Sequence, residues 1–460
     1  MNVPRPAPDG PSVNVPRPVP DGPPSQQARR AGLASFVGTT IEWYDFYIYG
    51  TASALVFGKL FFPDVSPAAG VLASFATFWV GFLARPLGGI VFGHFGDRMG
   101  RKGTLVTTLL MMGIATFLVG VLPTHAQIGF AAPLLLALLR AVQGVAVGGE
   151  WGGAVLMASE SAPKGRGSLF AMLVQQGSPA GAILATLVFL AAGGLDDAAF
   201  TSWGWRVPFL LSGLLVVVGL LIRLKVEESD DFERVKRGGE VVKLPVAEVL
   251  RTAWRTVLLG IGASVMGISS AYFTNTFLLS WTTNELHMDR QTMLYVLLGV
   301  SAVQFLWQPA AALLSERVGE TRFMVCSLLA NVVVAVPMFL LVNTAQPLLV
   351  LCGTALAVVS GSGYYAVLAG FLARAFPSRV RYTGISLSYQ LCSTLIGCST
   401  LIGGTTPLVA QALLTAGGGS VWPVTGFYVA LLLTTAACVA GLAGLTRGHA
   451  PEQRPAPAAV

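Results

Sequence analysis

Gly96-Asp97-Arg98-Met99-Gly100-Arg101-Lys102 separates two long apolar runs, residues 68–95 and 103–123. Each run is long enough to cross the hydrocarbon core of a bilayer as a helix. A connection as short as this one must form a tight loop on one face of the membrane. The sequence therefore predicts two consecutive membrane helices with a charged loop between them.

Each residue type in this loop suits that position. Gly96 and Gly100 relieve the backbone at a sharp turn. Asp97 can lie at the start of the next helix, where an anion is favoured. Basic residues hold a loop on the cytoplasmic side, and the loop contains three of them: Arg98, Arg101 and Lys102. We interpret the stretch as a cytoplasmic gate loop in which Asp97 is a conformational latch, with a simple helix N-cap as the alternative.

Composition places the chain in the membrane class. Of its 460 residues, 54% are hydrophobic and 11% are charged, whereas soluble proteins average roughly a quarter charged residues. The net charge of +7 does not indicate nucleic acid, because the basic residues lie in short loops between apolar runs. The four histidines and five dispersed cysteines have no metal-ligand spacing. We expect no cofactor and no metal.

The apolar runs predict an all-α membrane protein with twelve transmembrane helices in two pseudo-symmetric six-helix bundles. The predicted spans are 31–58, 68–95, 103–123, 131–158, 168–193, 205–224, 256–283, 292–314, 322–342, 347–373, 382–411 and 421–446. The corresponding domains are a proline-rich disordered tail (1–28), an N-terminal bundle (29–224), a cytoplasmic linker (225–255), a C-terminal bundle (256–446) and a short tail (447–460).

The distribution of Lys and Arg predicts the orientation. Twenty-four of them fall in the tails and loops of one face, and three fall on the opposite face. Since basic residues accumulate on the cytoplasmic side, we expect both termini in the cytoplasm of a multi-pass plasma (inner) membrane protein. We expect the chain to be a monomer in the lipid bilayer and to bind no nucleic acid.

The two halves of the chain have charged loops at corresponding positions. The loop 96–102 follows the second span, and 315–322 follows the eighth, about 219 positions later. Likewise, 163–167 follows the fourth span and 377–384 follows the tenth. Two such repeats joined by a charged linker are typical of secondary transporters, whose substrate site lies near the midplane between the halves.

Several motifs in the first half carry a family resemblance. They are Glu42-Trp43-Tyr44-Asp45-Phe46-Tyr47, Gly81-Phe82-Leu83-Ala84-Arg85-Pro86, Leu139-Arg140-Ala141-Val142-Gln143-Gly144, Gly148-Gly149-Glu150-Trp151-Gly152-Gly153 and Trp203-Gly204-Trp205-Arg206. The chain resembles the major facilitator superfamily, and more narrowly its metabolite:proton symporters, which include shikimate, α-ketoglutarate, citrate and proline/betaine carriers. The resemblance implies proton-coupled symport of a small polar metabolite by alternating access. The loop after the eighth span departs from the family pattern, having Glu316 and Glu320.

Five ionisable residues lie within the predicted spans: Glu42, Asp45, Arg85, Arg140 and Glu150. An unpaired charge in hydrocarbon is costly, so each is a candidate for proton coupling or substrate binding. Glu42 and Arg140 both fall about 15 Å along their helices, near the midplane. We predict that Arg140 pairs with Glu42 and Asp45, which titrate as a coupled pair, and that Arg85 pairs with Glu150. A fixed ionic brace between helices is the alternative.

Neutral polar residues on helices 5, 7, 8, 10 and 11 could complete a substrate cavity. The resemblance implies that helices 7, 8, 10 and 11 line it. For each residue, a helix–helix hydrogen bond is the alternative role. The candidates are Gln175, Gln176, Asn275, Gln304, Gln308, Tyr364, Tyr365, Tyr389 and Gln390.

Other functional classes have little support in the sequence. It contains no serine–histidine–aspartate constellation, metal motif or phosphate loop that would indicate an enzyme. A channel does not need two halves with gate loops at corresponding positions, so the repeat argues against that class. The serious alternative to symport is a proton-coupled antiporter that exports a drug or metabolite.

Overall fold

A computed structural model describes residues 26–163, 166–192, 195–228, 244–279, 281–397 and 405–447. The residues within these ranges that form secondary structure are helical. Most of the proline-rich tail, the middle of the linker and the C-terminal tail, all predicted above, lie outside the described residues.

Twelve long helices succeed one another along the described ranges. In order they are α1 (Gln26–Ala52), α2 (Pro67–Met99), α3 (Arg101–Val121), α4 (Ala131–Glu160), α5 (Gly167–Ala192), α6 (Val207–Leu224), α7 (Trp254–Tyr272), α8 (Arg290–Val318), α9 (Glu320–Val342), α10 (Pro347–Ala375), α11 (Arg381–Gly397) and α12 (Trp422–Arg447). Shorter helical segments extend or connect them, including Pro245–Thr252 in the linker and Thr405–Ala416 before α12.

These helices confirm the predicted all-α, twelve-helix architecture. Within the described residues, nine helical segments are long and apolar enough to cross a membrane. Helices α1, α2 and α11 complete the twelve. The buried acids Glu42 and Asp45 lower the hydropathy of α1, and α11 has only 17 residues.

The two halves repeat a turn at a single glycine. Gly100 separates α2 from α3 with φ of 116°, and Gly319 separates α8 from α9 with φ of 94°. Both angles lie where only glycine is comfortable. The tight loop predicted from the sequence is therefore one residue long, and the second half contains its counterpart 219 positions later.

Close helix pairs bring the functional residues together. In the N-terminal half, α2 packs on α4 and α1 on α5; between the halves, α2 packs on α11, and α5 packs on α8 and α10. A Cβ on Gly144 would lie 2.0 Å from the carbonyl oxygen of Gly81, and one on Gly88 equally close to that of Val145. Small residues thus let α2 and α4 touch backbone to backbone, as membrane helices commonly do.

Candidate functional site

Four of the five predicted charged residues line one cavity inside the N-terminal half. Glu42 and Asp45 reach it from α1, Arg85 from α2 and Arg140 from α4. The cavity measures about 20 Å³, which is room for a water molecule and not for a metabolite. The sequence therefore located the cluster, and the structure brings these four side chains together around a small cavity.

Asp45 accepts hydrogen bonds from two hydroxyls. The Thr116 hydroxyl lies 2.8 Å from one carboxylate oxygen, and the Ser212 hydroxyl lies 2.6 Å from the other. Thr116 can instead donate to the carbonyl oxygen of Met112, at 3.0 Å. Because a hydroxyl has a single proton, Thr116 donates to either Asp45 or Met112. The site therefore accommodates Asp45 both ionised and protonated.

Arg140 is connected to Asp45 through two side chains. Its guanidinium donates to the Gln143 carbonyl oxygen at 3.0 Å, and the Gln143 amide nitrogen donates to Thr116 at 2.7 Å. The guanidinium carbon also lies 4.4 Å from the centre of the Tyr49 ring, a cation–π arrangement. The predicted partners are thus joined by a relay through Gln143 and Thr116, two neutral residues that are not among the predicted site residues.

Glu42 and Arg85 occupy the side of the cavity nearer the C-terminal half. Glu42 is 7% exposed, and its Oε2 atom has no hydrogen-bond partner among the described residues. Arg85 donates to the hydroxyl of Ser393 on α11 at 2.8 Å and lies 4.4 Å from the centre of the Phe82 ring. Arg85 is therefore a cation from one half that touches the other half.

The predicted pairing of Arg85 with Glu150 is wrong. Glu150 pairs with Arg223 of α6, and both side chains are almost completely buried. Thr108 donates to the same carboxylate at 2.7 Å, and Gly38 leaves the space that the guanidinium fills. Arg85 points into the cavity, whereas Glu150 points towards α3 and α6. Arg223 lies one residue before the end of the sixth predicted span, and it is not among the five charged residues predicted for the site.

The neutral candidates fall into three groups. Asn275 and Gln304 line a second cavity, between the halves. Most of the others bind neighbouring elements: Gln175 bonds Trp151 and Tyr365, Gln176 bonds Phe305, Tyr364 bonds Ala263, Tyr365 bonds Tyr389, and Gln390 bonds Val147. These contacts match the helix–helix alternative stated above. Gln308 is buried, and neither polar atom of its amide has a hydrogen-bond partner among the described residues.

At the gate loop, Asp97 binds the opposite half of the molecule. It lies in the last turn of α2, and its carboxylate accepts from the backbone N–H of Tyr382 at 3.2 Å and of Thr383 at 2.9 Å. The Thr383 hydroxyl adds a third bond at 2.8 Å. Asp97 thus caps the N-terminus of α11, and the expectation that it caps α3 is wrong. A Cβ on Gly96 would lie 2.3 Å from the Tyr382 ring, so Gly96 serves this close approach and not the turn.

The three basic residues of the loop have different environments. Arg98 is exposed beside His94. Arg101 is buried and bonds Glu160 at 3.2 Å. The side chain of Lys102 donates to the carbonyl oxygen of Leu224 at 3.0 Å. The N-terminus of α3, which was expected to be capped by Asp97, is instead capped by Glu228 of the linker, which accepts from the backbone N–H groups of Arg101 and Lys102.

Two further carboxylates on the same face bind across the halves. Glu160 contacts Arg101 within its own half and Arg381 of α11 at 3.3 Å. Glu320, at the start of α9, contacts Arg374 within its own half and accepts from the Ser168 hydroxyl of α5. The loop that departs from the family pattern therefore also contacts the opposite half.

The family model of the major facilitator superfamily matches residues 31–398. The chain belongs to the major facilitator superfamily. It is 41% identical over 408 residues to the shikimate transporter of Escherichia coli K12, covering 88% of this chain and 91% of that one. The proline/betaine transporter of Salmonella typhimurium is 31% identical over 441 residues, covering 94% and 86%.

A solved structure agrees with the family assignment. The proton:xylose symporter XylE of E. coli superposes with a TM-score of 0.71 at 13% identity, covering 92% of this chain and 96% of that one. At this identity the likeness concerns the fold. The chain is thus a multi-pass membrane transporter and not an enzyme.

A substitution in this transporter tests whether Asp97 holds the gate closed. Replacing Asp97→Asn leaves an amide that cannot accept from all three donors. Because hydrogen bonds to a charged group contribute about 1.5–3 kcal/mol, we expect the population with this face open to rise roughly tenfold or more. Spin labels at Met99 and Val318, which are exposed on opposite halves, would report the separation in a cysteine-free background.

The control is Asp196→Asn, an exposed helix cap that accepts from Ala199. It carries the same substitution away from this interface and should leave the label distances unchanged. Identical distance distributions in Asp97→Asn and the parent protein would show that Asp97 is only a cap.

Proposed function

We propose that this transporter carries a small, carboxylate-bearing polar metabolite into the cell together with protons, by alternating access. The observation that carries the proposal is the small cavity that Glu42, Asp45, Arg85 and Arg140 line together. Buried ionisable groups inside a membrane bundle commonly mark proton relays and substrate sites. The names of the similar shikimate and proline/betaine transporters support a substrate with a carboxylate.

The hydrogen bonds of Asp45 support a proton-carrying role. When Asp45 is ionised, it accepts from Thr116 and Ser212. When it is protonated, it can donate to Thr116, which then donates to Met112. Both states keep their hydrogen bonds, so loading and releasing a proton leaves no buried polar group without a partner.

The position of Arg85 supports binding of the substrate carboxylate. Its present partner is a neutral hydroxyl, that of Ser393, in the opposite half. A carboxylate offers a guanidinium two acceptor oxygens and a charge, and is the stronger partner. A substrate that enters between the halves could thus replace Ser393 and pull α2 and α11 into a new arrangement. Protonation of Glu42, which faces the same cavity, would leave the cation available to the substrate.

The gate contacts suggest which face is closed. Asp97, Glu160 and Glu320 all bind across the halves on the face that the Lys and Arg distribution assigns to the cytoplasm. We therefore propose that the structure represents a state closed to the cytoplasm, in a plasma membrane with both chain termini inside.

Reconstituted vesicles with acid outside test the proposal. We would offer a panel of labelled carboxylates, including shikimate and succinate, together with proline and betaine. Symport predicts concentrative uptake that collapses when a protonophore removes the pH gradient. Uptake that is indifferent to the gradient would contradict proton coupling.

The same vesicles distinguish symport from the antiporter alternative. Vesicles preloaded with substrate should retain it under inward proton flow if the protein is a symporter. Proton-driven efflux from preloaded vesicles would replace our proposal with export.

A further inference from the structure

The second cavity differs from the first in its chemistry. It measures about 50 Å³ and lies between the α1–α5 side of one half and helices α7 to α10 and α12 of the other. None of the described residues that line it is charged. This volume holds one or a few groups the size of a water molecule. The hydroxyl groups of a sugar-like acid are of that size.

Two buried polar atoms in this cavity lack partners. Asn331 is 1% exposed, and Ser362 is 7% exposed. The Asn331 Oδ1 and Ser362 Oγ atoms have no hydrogen-bond partner among the described residues. A buried polar group without a partner is costly, so these atoms are expected to bind a molecule that enters the cavity.

The neighbouring groups fix the position of Asn331. Its amide nitrogen donates to the Tyr428 hydroxyl at 3.4 Å. A Cβ on Gly361 would lie 2.6 Å from this nitrogen, so the absence of a side chain on α10 leaves the space that the amide uses. Asn331, Ser362 and Tyr428 thus form a polar side pocket, which we name the neutral pocket, in the C-terminal half.

We propose that the neutral pocket binds a hydroxyl group of the substrate, so that the transporter selects hydroxylated carboxylates over betaines. This inference rests on the proposed function and specifies its substrate class. A hydroxyl both donates and accepts, so it can serve Asn331 in either orientation of the amide and Ser362 as well.

Hydrogen bonding disfavours the competing class of substrate, the betaines, in this pocket. A quaternary ammonium has no N–H or O–H to give to Asn331 or Ser362. With a quaternary ammonium in the pocket, the Asn331 Oδ1 and Ser362 Oγ atoms would stay without a hydrogen-bond donor or acceptor from the substrate, which is costly for buried groups. The cations needed for a carboxylate lie instead in the first cavity, across the aromatic side chains Phe46 and Tyr47, whose rings are 6.0 Å apart.

Matched acids with and without a hydroxyl test the inference. Suitable pairs are shikimate with cyclohexene carboxylate, malate with succinate, and citrate with tricarballylate, and betaine is added as the charged alternative. We expect proton-driven uptake to favour the hydroxylated member of at least one pair by roughly tenfold or more. Preference for betaine over all acids, or equal uptake within every pair, would overturn the inference while leaving symport intact. Absence of proton-driven uptake for every compound would instead overturn the proposed function.

Two variants locate the selectivity in the neutral pocket. Ser362→Ala and Asn331→Leu remove hydrogen-bonding groups while keeping similar volumes. We expect the KM of the hydroxylated acid to rise roughly 3- to 10-fold, with the KM of its partner unchanged. The matched controls are Ser360→Ala, whose hydroxyl bonds its own helix, and Asn343→Leu at the exposed end of α9.

The comparison within a pair separates binding from folding. A variant that merely disturbs the bundle would change uptake of both acids alike and would be visible as lower purified yield. If Ser362→Ala and Asn331→Leu both keep the wild-type ratio between the KM values of the hydroxylated acid and its partner, the neutral pocket does not bind the hydroxyl group of the substrate.

Discussion

Replacing Asp45→Asn should abolish concentrative uptake while leaving substrate exchange in place. The amide can hydrogen-bond to Thr116 and Ser212, but it cannot take up and release a proton. With one pH unit across the vesicle membrane, coupling to one proton without net charge movement supports an accumulation of about tenfold, since about 1.4 kcal/mol corresponds to a factor of ten. The ratio of inside to outside substrate in the variant should therefore fall to about one.

The measurement is the steady-state accumulation ratio, with counterflow of labelled against unlabelled substrate in the same preparation. Glu42→Gln is the companion variant, because Glu42 faces the same cavity. The matched control is Asp64→Asn, since this carboxylate is 80% exposed beside His125. If Asp45→Asn and Glu42→Gln both accumulate substrate like the parent, neither acid carries the coupled proton, and the cluster is a fixed ionic brace.

Breaking the Glu150–Arg223 pair should cost more stability than any surface change in the chain. The two side chains are 2% and 3% exposed, so Arg223→Gln leaves a buried carboxylate without its counterion. Removal of one partner from a buried pair typically costs about 3–5 kcal/mol. We expect a large fall in the melting temperature of the purified protein in detergent.

A second substitution shows whether the loss of stability comes from the buried carboxylate that has lost its counterion. Adding Glu150→Gln to Arg223→Gln removes the remaining carboxylate, and the double variant should recover part of the lost stability. Arg251→Gln is the control, because Arg251 is 80% exposed beside Glu248, and surface pairs contribute little. A double variant as unstable as the sum of the two single variants would mean that the pair acts through packing and not through charge.

The features that the sequence predicted are those whose residues differ in polarity from their immediate neighbours in the chain. Twelve apolar runs stand out against charged loops, and Glu42, Asp45 and Arg140 stand out within those runs. Gly100 signals a sharp turn between two apolar runs, and its φ of 116° matches that role. Each of these signals is visible in a window of a few residues, so none requires knowledge of a distant partner.

The features that the sequence did not predict depend on distant partners or on ambiguous positions. Asp97 and Thr383 are 286 positions apart, and the residues around Asp97 do not indicate that it binds the N-terminus of α11. Arg223 lies at the end of an apolar run, where an arginine is equally expected as a marker of membrane orientation. Asn331 is neutral and belongs to α9, whereas the resemblance directed attention to helices 7, 8, 10 and 11.

The arrangement of Glu160 and Glu320 has a consequence for turnover. Each carboxylate contacts an arginine of its own half, Arg101 and Arg374 respectively, besides a group across the divide. When the two halves separate, both carboxylates keep the arginine of their own half and lose only the contact with the opposite half. Among Asp97, Glu160 and Glu320, only Asp97 gives up hydrogen bonds that all come from the other half. The two end states of the cycle can therefore stay close in free energy, as a carrier that must interconvert them repeatedly requires.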